Sequence, residues 1–143
     1  MPTFAYPVTL ETDSAGRILV LFPDFPEAAT DGADRAEALA EASDCLQEAI
    51  AGRLARREPV PPPSPARDGP TVVPGAIIVA KAALHTALRD AELTNTALAE
   101  RLGVAEGEVR RLLDPRHASK IARLEAALGA LGQRLEVAIK SAA

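Results

Sequence analysis

The sequence predicts an α+β protein: a small antiparallel sheet with one helix, followed by an all-α helix-turn-helix domain. Three observations carry that expectation. Residues 4–22 hold two stretches that alternate with a period of two, the mark of half-buried strands. Residues 35–57 and most of 80–131 switch to helical spacing. Between them, six of the 12 prolines (Pro59, Pro61, Pro62, Pro63, Pro65 and Pro70) crowd into one joint. Charge divides along the same line. Residues 1–58 carry 5 basic and 11 acidic side chains, and residues 74–143 carry 10 basic and 8 acidic ones. Two modules with different partners are expected: residues 1–78, including the joint at 59–70, and residues 79–143.

In the front module Phe4, Tyr6, Val8 and Leu10 share one face of a first strand, and Ile18, Val20 and Phe22 share one face of a second. Thr12-Asp13-Ser14-Ala15-Gly16 supplies turn chemistry between them. Pro7 lacks an N–H, which places its strand at an edge or Pro7 on an unpaired side. Phe22-Pro23-Asp24-Phe25-Pro26-Glu27 turns sharply, a short third strand follows near residues 28–30, and Asp31-Gly32 closes it. A helix then runs over 35–57, begun by Asp34 and Glu37 in capping-box spacing. Its apolar stripe is Ala36, Leu39, Ser43, Leu46, Ile50 and Leu54. Arg53, Arg56 and Arg57 suit its carboxyl end, and Pro59 stops it. The proline joint reads as a stiff extended spacer. Residues 71–73 and 76–79 are rich in β-branched side chains and fit one more strand before the chain turns into helix.

The back module reads as four helices, over 80–91, 96–102, 106–113 and 119–131. Leu98, Ala99 and Leu102 point inward from the second, Gly103 makes a tight turn, Val104 plugs the corner, and Val109 and Leu112 hold the third. This is helix-turn-helix spacing. Arg110, Arg111, Arg116, Lys120 and Arg123 gather on and after the third helix, as a phosphate backbone requires. The DNA-facing set is Thr94, Asn95, Glu106, Arg110, Arg111, Arg116 and Lys120, with Arg110 for bases and Arg116 and Lys120 for phosphates. Glu106 and Glu108 oppose a phosphate, although Glu accepts from the amino group of cytosine. Gly132 ends the fourth helix. Residues 133–140 then alternate, with Leu135, Val137 and Ile139 on one face. They form either a strand that pairs with a second copy or a short amphipathic helix.

Composition excludes several classes. Apolar residues at 48% and charged residues at 25% are ordinary for a folded domain. The single Cys45 cannot make an intramolecular disulfide and reads as a small helix filler. No signal peptide or membrane span is visible, so a soluble cytoplasmic protein is expected. No catalytic residue, metal site or cofactor is expected. Asp13, Asp24, Asp31 and Asp34 are numerous enough for a two-metal nuclease centre, but three of them occupy turn or cap positions that favour Asp for backbone reasons. His85 and His117 lack metal-ligand spacing, and there is no glycine-rich phosphate loop. A transcription regulator whose front domain senses a ligand remains an alternative.

The whole chain resembles the HicB-type antitoxins of bacterial type II toxin–antitoxin systems. At the front the resemblance lies in Tyr6-Pro7-Val8, Asp13 with Gly16, Phe22-Pro23-Asp24-Phe25-Pro26, Thr30-Asp31-Gly32, Ala38-Leu39, Ala42, Asp44 and Leu46. At the back it lies in residues 84–89, Leu98-Ala99-Glu100-Arg101-Leu102-Gly103-Val104, Val109-Arg110-Arg111-Leu112 and residues 113–119. It implies a front domain like a truncated ribonuclease H fold without its active site, which masks a small HicA-like mRNA-interferase toxin. It further implies a back domain that binds operator DNA and represses its own operon. Phe22, Asp24, Phe25 and Glu27 are the expected toxin contacts, on the premise that the double-proline turn exposes an aromatic ring beside acids; the competing reading, of equal weight, places Phe22 at least in the core. Because one helix-turn-helix reads a single half-site, a homodimer or larger homo-oligomer is expected, joined through Leu135, Val137 and Ile139.

Overall fold

A computed structural model describes residues 3–65 and 68–141. The chain divides into two compact units, one ending at Val79 and the other beginning at Ala80. In the first, β2 (Thr9–Thr12), β3 (Ile18–Leu21) and β4 (Ala29–Gly32) form an antiparallel sheet in that order, with Leu10 opposite Val20 and Val20 opposite Thr30. The hairpin between β2 and β3 is set by Asp13, whose Oδ1 accepts from the amides of Ala15 and Arg17 at 2.9 Å each. Gly16 takes the left-handed conformation there, at φ 81°.

The first expected strand is in fact two. β1 (Tyr6–Pro7) pairs antiparallel with β5 (Thr71–Val72), Tyr6 opposite Val72. Val8 still bonds on the β5 side, its amide donating to Pro70 O at 3.2 Å, and from Thr9 the chain pairs with β3. Asp31 and Gly32 lie inside β4 instead of closing it, and Asp31 pairs with Arg17 at 2.9 Å.

α1 (Arg35–Ala55) packs on this sheet. Asp34 caps it, accepting from Glu37 N at 2.8 Å. Its buried face is Ala38, Ala42, Leu46, Ile50 and Leu54, one row at intervals of four. In the first two turns alanines therefore take the inner face, with Ala36 exposed and Leu39 and Ser43 only half-buried. The cause is a close approach: a Cβ on Gly32 would lie 2.7 Å from Ala38 Cα. Ser43 instead donates to Val73 O at 3.1 Å. The helix ends at Ala55, two residues before the expected 57, where Arg57 adopts φ 58° and Glu58 N returns to Arg53 O at 2.9 Å.

Residues 59–64 of the proline-rich joint are held against the rest of the first unit, not suspended as a spacer. Val60 is buried, Tyr6 Oη donates to Pro61 O at 2.7 Å, and Arg53 Nη1 donates to Pro59 O at 3.2 Å. Ser64 donates from both its amide and its hydroxyl to Asp24. Tyr6 thus sits in the core, edge-on to Phe25 at 5.1 Å between ring centroids.

After β5 the chain enters α2 (Ala76–Asp90) directly. Residues 76–79 are helical, not a strand. Burial of Ile78 and the bond from Val79 N to Gly75 O at 3.1 Å outweigh the β preference of Ile77, Ile78 and Val79. In the second unit α3 (Asn95–Leu102), α4 (Glu106–Leu113) and α5 (Ile121–Ala130) follow. Leu84, Leu88, Leu98, Ala99, Val109, Leu112, Leu124, Ala127 and Leu128 make its core. Gly103 has φ 68°, and its neighbour Val104 returns its amide to Ala99 O at 3.0 Å, which closes the turn into α4. Among the described residues no helix is long and apolar enough to cross a membrane.

Candidate functional site

α4 carries two exposed cations of the second unit, Arg110 and Arg111. Ala105 precedes it and supplies no side-chain cap, so Glu106 and Glu108 in the first turn complement the helix dipole, with Arg110 and Arg111 in the last. Each arginine is held on its own helix: Arg110 lies 3.7 Å from Glu106, and Arg111 lies 3.3 Å from Glu108. Arg123 of α5 also reaches Glu108, at 3.2 Å. Arg110 is two-thirds exposed, and Arg116 and Lys120 are exposed in the turn and at the start of α5. Thr94 is the N-cap of α3, its Oγ1 accepting from Ala97 N at 3.1 Å, and Asn95 is half-buried beside it. The fold brings Glu106, Arg110 and Arg111 onto one two-turn helix, whereas Thr94 is committed to a structural bond.

Sequence reasoning missed the group that fixes this helix. Lys81 is fully buried, and its Nζ donates to Arg111 O and Leu112 O at 3.1 Å each and to Ser119 Oγ at 2.8 Å. The ammonium therefore ties the last carbonyls of α4 to the turn that follows. Burial pulls its pKa below the ordinary lysine value, and the carboxylate of Asp114 opposes that fall. A lone lysine inside Ile77-Ile78-Val79-Ala80-Lys81-Ala82-Ala83-Leu84 was the available signal.

In the first unit the expected aromatic display is absent. Phe25 N returns to Phe22 O and Ala28 N to Phe25 O, at 3.0 and 2.9 Å. These successive turns place Phe22, Phe25 and Ala28 on the inner side, all buried. Arg53 covers the Phe25 ring at 4.9 Å and pairs with Glu27 at 2.7 Å. That hydrogen bond holds the Glu27 carboxyl below its usual pKa. Asp24 is engaged by Ser64. Glu27 also lines a groove of about 290 Å³ with Ala29 on one side and Cys45, Glu48, Ala49 and Gly52 of α1 and its C-cap Arg56 on the other. The Cys45 thiol faces Ala29 O at 3.6 Å, and burial raises its pKa.

The carboxylates weighed for a metal centre each have a separate task. Asp13 shapes a turn, Asp24 holds Ser64, Asp31 pairs with Arg17 and Asp34 caps α1. Among the described residues no three His, Cys, Asp or Glu side chains are grouped to hold a metal ion. Residues 133–141 form neither strand nor helix, with Leu135 half-buried, Val137 69% exposed and Ile139 94% exposed.

Residues 5–88 match the family model for HicB-like antitoxins of bacterial toxin–antitoxin systems. The chain belongs to that family. Three curated relatives extend the match beyond the first unit. Antitoxin HicB 1 of Photorhabdus laumondii is 38% identical over 135 residues, covering 94% of this chain and 86% of its own. Antitoxin HicB of Escherichia coli K12 is 37% identical, covering 92% of this chain and 96% of its own. Antitoxin HicB of Pseudomonas fluorescens is 30% identical, covering 91% of this chain and 90% of its own. Alignment on that scale runs through the helix pair α3–α4 as well as the sheet. As a HicB-like antitoxin, the chain is one component of a toxin–antitoxin system.

Proposed function

We propose that this HicB-like chain acts by binding alone. Its residues 1–78 would mask a small basic HicA-like mRNA-interferase toxin, and residues 79–143 would bind operator DNA so that the complex represses its own operon in the cytoplasm. The observation that carries the DNA half is the tight α3–Gly103–α4 turn, which leaves Arg110 and Arg111 exposed on a short helix anchored from behind by Lys81. A two-helix unit of this spacing places its second helix in a major groove. The toxin half is supported by the acidic excess of residues 1–58 and by the Glu27–Glu48 groove. Opposite charge steers a basic partner and rejects wrong ones. With Phe22 and Phe25 inside the core, acidic and small side chains around that groove replace the rings as the contact.

Two assays test the reading on the full chain. Co-expression with the cognate toxin restores growth, and a gel shift with DNA from upstream of the gene pair shows a salt-dependent complex. Unrelieved toxicity with a folded antitoxin would overturn the first half. An unshifted operator fragment at low salt would overturn the second.

A further inference from the structure

Between α4 and the turn into α5 lies a cleft of about 240 Å³, bordered by Glu108, Arg111, His117, Ser119, Lys120 and Arg123. Its floor is fixed. Lys81 Nζ binds Ser119 Oγ at 2.8 Å beneath it, and His117 Nδ1 meets the same hydroxyl at 3.1 Å. Arg111, Lys120 and Arg123 share this lining with one carboxylate, Glu108. Glu108 places one oxygen 3.3 Å from Arg111 Nη2 and the other 3.2 Å from Arg123 Nη1. Two guanidinium groups that share a single carboxylate present the same donor geometry that they offer to phosphate oxygens. A polar cleft with an excess of donors and one internal anion is built for an external anion of higher charge or larger donor demand.

We propose that this cleft is a phosphate-binding pocket, and that Glu108 occupies it in the free protein and yields Arg111 and Arg123 when phosphate enters. This deepens the DNA-binding reading and rests on it where the phosphate belongs to a nucleic-acid backbone; the same chemistry fits free phosphate. Arg123 and His117 lie outside the helix pair, so the pocket extends the contact surface onto α5. Glu108 acts as a competitor: it lowers affinity for any phosphate and does so equally for all sequences.

The test uses the full chain and two probes. A mixed-sequence DNA duplex is titrated over a range of salt concentrations, and inorganic phosphate is titrated while the arginine Nε–H signals are followed by NMR. Glu108→Gln is expected to bind the duplex several-fold more tightly. Arg123→Gln is expected to bind several-fold more weakly, with a salt slope smaller by about one unit. Arg35→Gln, which removes an exposed cation from the start of α1 in the first unit, is expected to follow the parent. If the parent binds duplex and neither Glu108→Gln nor Arg123→Gln departs from it, the pocket is overturned while DNA binding stands. If the parent ignores duplex but phosphate moves the Arg111 signal, and Arg123→Gln abolishes that movement, the pocket stands for free phosphate and the DNA reading falls. Silence toward both probes overturns both.

Discussion

Two buried side chains, Lys81 and Tyr6, tie together segments distant in sequence, and each makes a measurable demand. Lys81 satisfies two carbonyls at the end of α4 and one hydroxyl from a site with no exposure to water. Lys81→Met keeps the apolar stem but leaves Arg111 O and Leu112 O without that donor. A lost partner for buried acceptors costs about 1–3 kcal/mol. Denaturant unfolding followed by circular dichroism is expected to show that loss, and an unchanged midpoint would contradict the anchoring role. Tyr6 is the second. Burial, and next the Asp24 carboxylate, push its phenol from 10.0 up to about 12, while Arg53 pulls the other way. Because the folded value is the higher one, its contribution is fully present below pH 10 and is lost as pH climbs from about 10 to about 12. Two pKa units correspond to on the order of 2–3 kcal/mol. The chain has one tyrosine and no tryptophan, so phenolate absorbance reports this residue alone. A titration midpoint near 10 in the folded protein would refute the assignment. Neither role was legible beforehand, since the proline joint that buries Tyr6 and the turn that accepts from Lys81 are both distant in sequence.

At the level of elements, legibility followed the range of the forces. α3, its turn and α4 stand where sequence placed them, give or take one residue, because Thr94, Gly103 and the Leu98–Val109 spacing act over a few residues. Strand partners did not emerge the same way. Nothing local says that β1 leaves β2's sheet to join β5 across the whole of α1 and the joint. The α1 stripe failed in its first turns for a different reason: ranking by hydrophobicity favours Leu39, whereas the buried positions there are Ala38, whose backbone lies against Gly32, and Ala42. Two glycines separate these effects by experiment. At Gly103 nothing lies within 4 Å of an added Cβ, so Gly103→Ala carries only the left-handed backbone penalty, about 1 kcal/mol. Gly32→Ala drives a methyl into the backbone of Ala38, which cannot rotate away, and overpacking of that kind costs roughly 1–3 kcal/mol. Thermal melts are expected to rank Gly32→Ala as the more damaging. The opposite order would mean that α1 can slide off β4 at little cost.

For the whole molecule, the tail after α5 is the segment through which we propose that two copies pair. Gly132, at φ 76°, ends α5, with Gln133 N bonded back to Leu128 O at 2.9 Å. From there to residue 141 the backbone joins neither helix nor sheet among the described residues, while Val137 and Ile139 stand in water. Two readings of this segment were open from sequence. The amphipathic helix is not formed; a strand is formed only if it finds a partner, because an isolated strand leaves its donors and acceptors to solvent. On our proposal, a second copy related by a two-fold axis would offer the same alternation in the reverse direction, so that each tail would satisfy the other and Leu135, Val137 and Ile139 would pack against their counterparts. Such pairing also serves the proposed operator binding, since repressors of this type join two helix pairs about one DNA turn apart. Deletion of residues 133–143 is therefore expected to halve the mass measured by light scattering and to weaken binding to a two-half-site operator far more than to a single half-site. A truncated chain that keeps the mass of the full-length protein would overturn the tail as the dimer contact.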